Sequence, residues 1–342
     1  MSDTIFGKGL CDRAASNQVL TDDCGNRSHM VFVPCFLLSD VIDGGPELPH
    51  PAFVKGDRTL DGIYVSKYQN VLLDGVACSL PDCDPAVRVN FGEAREACAK
   101  KGTGWHLMTA MEWGAIALRC QKNGFLPYGN NDGGKDIREA ETTARVTYRD
   151  GDKGIVRTAT GTGPAEWFHD RSFDGIADLN GNVWEWVDGM RLVFAELQLG
   201  SDEAWYALNA TTGMLQAADG SGSTPGSVKL DFCNGVWTWT GLPIGDFLEK
   251  PRSCAFSAVC ADASVGEAAV CVLHALGVLP TDRNFDYGGV SFYANNSKSE
   301  RMAFRGGRYG QGREAGIFKT CLDDPRSASG EMIGFRAVYT FE

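Results

Sequence analysis

The side chains best able to do chemistry are twelve cysteines and five histidines. The cysteines stand at 11, 24, 35, 78, 83, 98, 120, 233, 254, 260, 271 and 321, with no C-x-x-C pair and no tandem ligand pattern. A tetrahedral zinc site needs closely spaced thiolates, so zinc-ribbon chemistry is disfavoured. Cys78 and Cys83 could close a short disulfide loop. Otherwise reduced, buried thiols packed as small hydrophobes are expected. His29, His50, His106, His169 and His274 are scattered along the chain. A denser signal is the run Asp178-Leu179-Asn180-Gly181-Asn182-Val183-Trp184-Glu185-Trp186. A polar turn feeds a strand in which Trp184 and Trp186 share one face and Glu185 takes the other. A buried carboxylate needs a partner. Calcium held by Asn, Glu and backbone oxygens is one solution, and an arginine such as Arg305 or Arg336 is another.

Several elements must position this run. Val31 to Leu38 reads as a buried strand and Asp61 to Tyr68 as an alternating one, with a Gly- and Pro-marked loop between Asp40 and Pro51. A helix is predicted from Phe91 to Lys101, with Asn90 as N-cap and Gly102 beyond its end. A second starts at Thr109, where Thr109 and Glu112 have capping-box spacing, and Trp113, Ile116, Ala117 and Cys120 recur on one face. Gly124 to Asp188 is rich in Gly, Asp, Asn and Trp, a length of loop that is usually functional or held by ions and side-chain hydrogen bonds. Residues 190–300 read as an insertion with a flexible run from Asp219 to Gly226 and a helix from Val265 to Leu276 opened by Ser264-x-x-Glu267. Its Trp205, Trp237 and Trp239 could cover a binding face or mediate oligomers, core packing being the more frequent fate. Residues 1–30 read as a polar arm and 31–342 as a single α+β domain.

With 342 residues, 43% of them hydrophobic, the chain can bury a large core. It has no apolar run long enough to span a membrane as a helix, and the Met1 to Lys8 stretch does not read as a Sec-type signal peptide. A formal charge of −12 repels phosphate backbones and disfavours nucleic acid as a partner.

Three stretches together resemble the formylglycine-generating-enzyme (sulfatase-modifying factor) family, whose domain is a variant of the C-type lectin fold. Gly104 to Trp113 is similar to its G-x-x-L-x-T-x-x-E-W element, and Asp178 to Trp186 to its D-x-x-G-N-V-W-E-W segment. Arg305-Gly306-Gly307 with Ile333-Gly334-Phe335-Arg336 resembles its R-G-G-S…G-F-R ending. The resemblance implies a C-type lectin fold of short mixed or antiparallel strands with two principal helices. It also implies a structural Ca2+ with side-chain oxygens from Asn180 and Glu185 and backbone oxygens from Gly181 and Val183. No other cofactor is implied as required. Enzymes of the family bind copper with a C-x-x-x-x-C pair just after R-G-G-S-F. Here Arg308 to Gly316 holds no cysteine, Cys254 and Cys260 have another separation upstream, and Cys321 stands alone. Copper(I) needs convergent thiolates. The related H-x-x-x-H-x-E iron site has no counterpart among the five histidines. The resemblance therefore carries the fold without the catalytic residues.

Arg305 to Arg336 further resembles the variable region of diversity-generating-retroelement proteins, a family that includes phage receptor-binding tips. Arg305, Gly306, Gly307, Gly312, Ala315, Gly316, Phe318, Leu322, Ser327, Ser329, Ile333, Gly334, Phe335 and Arg336 match the fixed positions. Between them stand Arg308, Tyr309, Gly310, Gln311, Arg313, Glu314, Lys319, Cys321, Asp323, Asp324, Ala328, Gly330, Glu331 and Met332, the ligand-binding residues that this resemblance implies. Arg, Tyr, Gly, Cys, Asp and Ala codons are reachable from AAC by changing adenines alone, whereas Gln, Glu, Lys and Met codons are not. The expected function is non-enzymatic binding of a protein or glycan on a host or neighbouring cell. Tyr309 would be a rigid anchor, and multivalent or homo-oligomeric display would raise affinity. A virion tail or cell surface is the expected location. The alternatives are a metal-dependent oxidase of the same superfamily and a calcium-dependent glycan-binding module.

Overall fold

The computed structural model describes residues 17–201 and 203–341. Two capping boxes start the principal helices. For α1 (Phe91–Ala99), Asn90 Oδ1 accepts the Glu93 N–H at 3.0 Å, and Glu93 Oε2 accepts the Asn90 N–H at 2.8 Å. For α2 (Ala110–Lys122), Thr109 Oγ1 accepts the Glu112 N–H at 3.2 Å, and Glu112 Oε2 accepts the Thr109 N–H at 2.8 Å. Each box satisfies two amides that the first turn leaves without partners. The stripe on α2 is core, with Trp113, Ile116, Ala117 and Cys120 all buried. Trp113 also donates its indole N–H to the Ile317 carbonyl at 2.7 Å, fastening the helix to a strand far along the chain. A third helix, α3 (Glu267–Ala275), falls inside the predicted span, but its N-cap is Gly266. The Ser264 hydroxyl instead accepts the Gly241 N–H at 2.7 Å.

Strands β1 (Gln18–Thr21), β2 (Arg27–Pro34), β3 (Gly62–Ser66) and β4 (Trp105–Leu107) belong to an antiparallel sheet of five. The chain's last strand, Ala337–Tyr339, lies between β3 and β4 and ties the C-terminus into that sheet. Residues 17–30 are therefore part of the domain, because β1 and β2 pair from Gln18↔Met30 to Thr21↔Arg27. The rest of the expected arm, 1–16, lies outside the described residues. The strand expected at 31–38 is shifted, ending at Pro34, whose ring removes an amide donor.

The larger sheet holds β5 (Trp184–Val193), β6 (Glu196–Ser201), β7 (Arg301–Gly306) and β8 (Gly316–Asp324). β7 pairs antiparallel with both β5 and β8, and Ile333–Phe335 pairs parallel to the start of β5. Residues 190–300 are not set apart from this architecture. β5 turns into β6, and strands at Ala204–Leu208, Lys229–Cys233 and Val236–Thr240 prolong the same sheet. Trp237 and Trp239 are fully buried, and their indole N–H groups donate to Arg252 O and Val278 O at 3.1 Å each. The Asp219–Gly226 run is tied down, since the buried carboxylate of Glu196 accepts the Thr224 N–H at 2.8 Å. The long loop before β5 also contains a hairpin, Val146–Asp150 with Gly154–Thr158, that its polar composition conceals. Among the described residues no helix is long and apolar enough to cross a membrane.

Candidate functional site

The Asp178–Trp186 run forms the buried hub of the molecule. Trp186 stacks on Phe304 with centroids 3.9 Å apart and donates its indole N–H to Val89 O at 2.9 Å. Glu185 faces the other way and meets Arg336 in a two-point ion pair, Nε–Oε2 at 2.6 Å and Nη2–Oε1 at 2.7 Å. Arg336 also donates to Ser66 O and Ala177 O at 3.0 and 3.1 Å. Of the two arginines that the sequence offered as partners, Arg336 takes the carboxylate. Arg305 is also fully buried, but it donates to Thr320 Oγ1 at 2.7 Å and Gly277 O at 3.2 Å. Burial without a neighbouring carboxylate lowers its pKa.

Of the four residues expected to hold calcium, Gly181, Val183 and Glu185 are gathered and Asn180 is not. Gly181 O, Val183 O and Glu185 Oε1 do converge, together with Asp178 O, but on the amide nitrogen of Gln69, at 3.4, 3.1, 3.1 and 3.3 Å. An amide N–H2 aimed into an oxygen cradle occupies the position a cation would need. Asn180 turns elsewhere, donating to Pro127 O at 2.9 Å. The other end of Gln69 accepts from Asn182 Nδ2 at 3.0 Å, and Asn182 also bonds Asn130, Thr158 N and Thr158 O. As arranged, three of the four expected ligands face one point, which the Gln69 nitrogen fills. Gln69 stands beside Asn70 just after a strand, and nothing in its type or spacing marks it. Gly181 is required where it stands: its φ is +77°, and a Cβ would lie 2.2 Å from Asn130 O. Asp178 completes the hub with one carboxylate oxygen, Oδ1, that finds no hydrogen-bond partner among the described residues. Burial raises its pKa to about 6, against the lowering effects of the Gly161 N–H and Arg336, with Glu185 adding to the rise.

The mutable positions divide sharply. Gly310, Arg313 and Glu314 are exposed, and Arg308 and Gln311 are half-buried in the same turn, where Gln311 Oε1 accepts the Arg308 N–H at 2.9 Å. Asp323, Asp324, Ala328, Gly330, Glu331 and Met332 are half-buried. Tyr309, Lys319 and Cys321 are buried at 4%, 1% and 4% exposure, which corrects their assignment to a ligand face. Lys319 and Cys321 lie on β8, covered on both sides, and Tyr309 is drawn in by its N–H bond to Asn182 O at 3.2 Å. Nor is 308–332 one continuous patch. Met332 accepts the Trp184 N–H at 2.8 Å, so 330–332 lies beside the 308–311 turn at the Asn182–Trp184 end. Asp324 pairs with Met302 at the other end of β8, a strand length of roughly 26 Å away at about 3.3 Å per residue. Most of the fixed positions are buried, among them Ala315, Phe318, Leu322, Ile333 and Phe335, whereas Ser327 and Ser329 are exposed and Gly312 half-buried.

Other reactive groups are quieter. The eleven described cysteines are all free, Cys78 and Cys83 included. Burial pushes the Cys120 thiol up to about 12 and raises Cys98 and Cys321 further, which keeps all three as inert thiols. His50 and His169 are held neutral by burial, with pKa values lowered to about 4. Among the described residues no three His, Cys, Asp or Glu side chains gather into a metal-binding group.

Fold and hub together define an α+β domain of short strands and two capped principal helices. Residues 64–195 match the family described as sulfatase-modifying factor enzyme 1-like domain, a span that takes in the end of β3, both capped helices and the Asp178–Trp186 run. Among solved structures, PvdO from Pseudomonas aeruginosa aligns over 96% of this chain and 100% of its own, at 16% identity and a TM-score of 0.41. The U1 variant of the Major Tropism Determinant aligns over 91% of this chain and 63% of its own, at 12% identity and a TM-score of 0.31. The P3c variant aligns over 94% and 70%, at 10% identity and 0.32. No curated protein sequence matches the chain significantly.

Proposed function

We propose that this protein is a non-enzymatic recognition protein whose C-terminal loops are diversified by a retroelement. The reading rests on one observation. Assorted residue types stand exposed or half-buried at 308, 310, 311, 313, 314 and 330–332, while the neighbouring fixed residues Ala315, Phe318, Leu322, Ile333, Phe335 and Arg336 are core. Loops on a rigid frame can change without unfolding it, since exposed substitutions usually shift stability by under about 0.5 kcal/mol. The recognition face is the turn Arg308, Gly310, Gln311, Arg313 and Glu314 together with Glu331 and Met332. Asp323, Asp324 and Ala328 form a second, distal patch. The ligand is carried on a cell surface, and the protein is displayed on a virion tail or a cell envelope. The reading is of binding without reaction, supported by the lack of a thiol pair in the stretch just after Arg305-Gly306-Gly307.

The test replaces Gln311, Arg313, Glu314 and Glu331 together and measures adsorption of labelled protein to cells from its source community. Circular dichroism monitors the fold. Lost adsorption with an unchanged melting temperature is the expected result; retained adsorption overturns the assignment. Oxygen uptake with a cysteine peptide and copper(I) would favour the oxidase alternative instead.

A further inference from the structure

A cavity of about 270 Å3 opens between the loop after α2 and the 313–316 end of the mutable segment. Phe125, Tyr128, Phe285 and Tyr287 line it. Behind them lies Asp136, fully buried, which accepts the Gly129 N–H at 3.0 Å and the Asn131 amide at 2.9 Å. Asp136 also receives Arg138 at two points, at 2.6 and 2.8 Å, and the Arg138 guanidinium lies 3.5 Å from the Tyr128 ring centroid. Arg138 is thus matched in charge and fixed in place.

Two further guanidiniums at this cavity are not matched. Arg171, exposed and with a left-handed φ of +58°, lies over the Phe125 ring at 4.0 Å. Arg313 comes from the mutable turn. Neither forms an ion pair among the described residues. The opposing charge on the lining is Asp286, whose Oδ1 already accepts the Gly288 N–H at 2.8 Å. An unmatched cationic rim over aromatic walls is out of character for a chain with a net charge of −12.

We propose that this cavity takes a single carboxylate on an apolar stem, supplied by an acidic side chain of a polypeptide ligand. The inference rests on the recognition reading above and names the chemistry recognised. Guanidinium forks match carboxylates, and aromatic walls take the stem. Whole small-molecule ligands occupy about 300–1,000 Å3, so this volume suits one side chain. A sugar ring would need several partners for its hydroxyls. Here Asn131 Oδ1 is engaged by the Ile137 N–H at 2.8 Å and Asn180 Nδ2 by Pro127 O at 2.9 Å.

Titrating the full chain with phenylacetate, phenylacetamide and inorganic phosphate at constant ionic strength, read by amide NMR shifts, tests this. Phenylacetate should give saturable shifts at Phe125, Tyr128 and Asp286, and phenylacetamide none. Arg171→Gln and Arg313→Gln should each weaken phenylacetate binding about five- to tenfold, the range set by losing about 1–1.4 kcal/mol. Equal shifts with the amide, displacement by phosphate, or wild-type affinity in both variants would overturn the proposal. Arg171 lies outside the mutable segment, which keeps the two readings separable. Acid binding beside an invariant 308–332 would sink diversification alone. Natural variation there without acid binding would sink only the carboxylate pocket.

Discussion

The turn at 308–314 and the strand at 316–322 are neighbours in sequence and opposites in environment. The turn carries Gly310, Arg313 and Glu314 in solvent, whereas every residue from Gly316 to Leu322 is buried. Both contain positions that sequence pattern alone marks as mutable. In the turn, a new side chain changes what the surface offers to a ligand. On β8, it must fit between β7 and the parallel strand Ser291–Ala294. A diversified segment on this frame has a free half and a constrained half, and the proposed recognition face falls on the free one.

The largest effect should come from forcing the strand to behave like the turn. Cys321→Asp buries a carboxylate near Asp323 and Asp324, whose own pKa values are raised by burial, Asp323's also by the neighbouring Asp324. A loss of at least about 3 kcal/mol in denaturant unfolding is expected. Next in size is Asp178→Asn in the hub. A carboxyl whose folded pKa lies above its unfolded value stabilises fully below the unfolded pKa, and that contribution is lost as pH rises through about 6. The substitution should therefore raise stability by roughly 2–3 kcal/mol at pH 7.5 and by little near pH 4, the size following from about two pKa units. Urea midpoints at the two pH values check it.

Gln69→Glu asks whether the hub can be turned into a metal site. Wild-type melting should be the same in calcium and in EDTA, because the Gln69 amide fills the oxygen cradle. The variant should be less stable in EDTA and recover about 2–3 kcal/mol at calcium concentrations near a hundredfold its Kd. Smallest of all, Arg313→Ala in the turn should shift stability by under about 0.5 kcal/mol.

Much of the frame was legible in the sequence because its signals are local. Asn90 with Glu93 and Thr109 with Glu112 cap helices through neighbouring amides, and the alternation in Trp184-Glu185-Trp186 places the indoles and the carboxylate on opposite faces. What escaped depends on contacts across the fold. Gln69 reaches the hub from more than a hundred positions away, and Arg138 and Arg171 become cavity residues only once the loop after α2 closes against 313–316. Burial of Tyr309, Lys319 and Cys321 was likewise hidden, because a codon pattern records which residues can change and not which way they face. Ser264 misled for the same reason: its spacing matched a capping box, but Gly241 competes for the hydroxyl.

The central claim is that variation is tolerated in the turn and refused on the strand. Deep sequencing of the gene's 3′ end across one natural population tests it most directly. The account predicts substitutions at the codons for 308, 310, 311, 313 and 314 and for 328 and 330–332, at adenine positions of a nearby template copy, with the codons for 316–322 nearly constant. Invariance across the whole segment, or equal variation on β8 and in the turn, would contradict it.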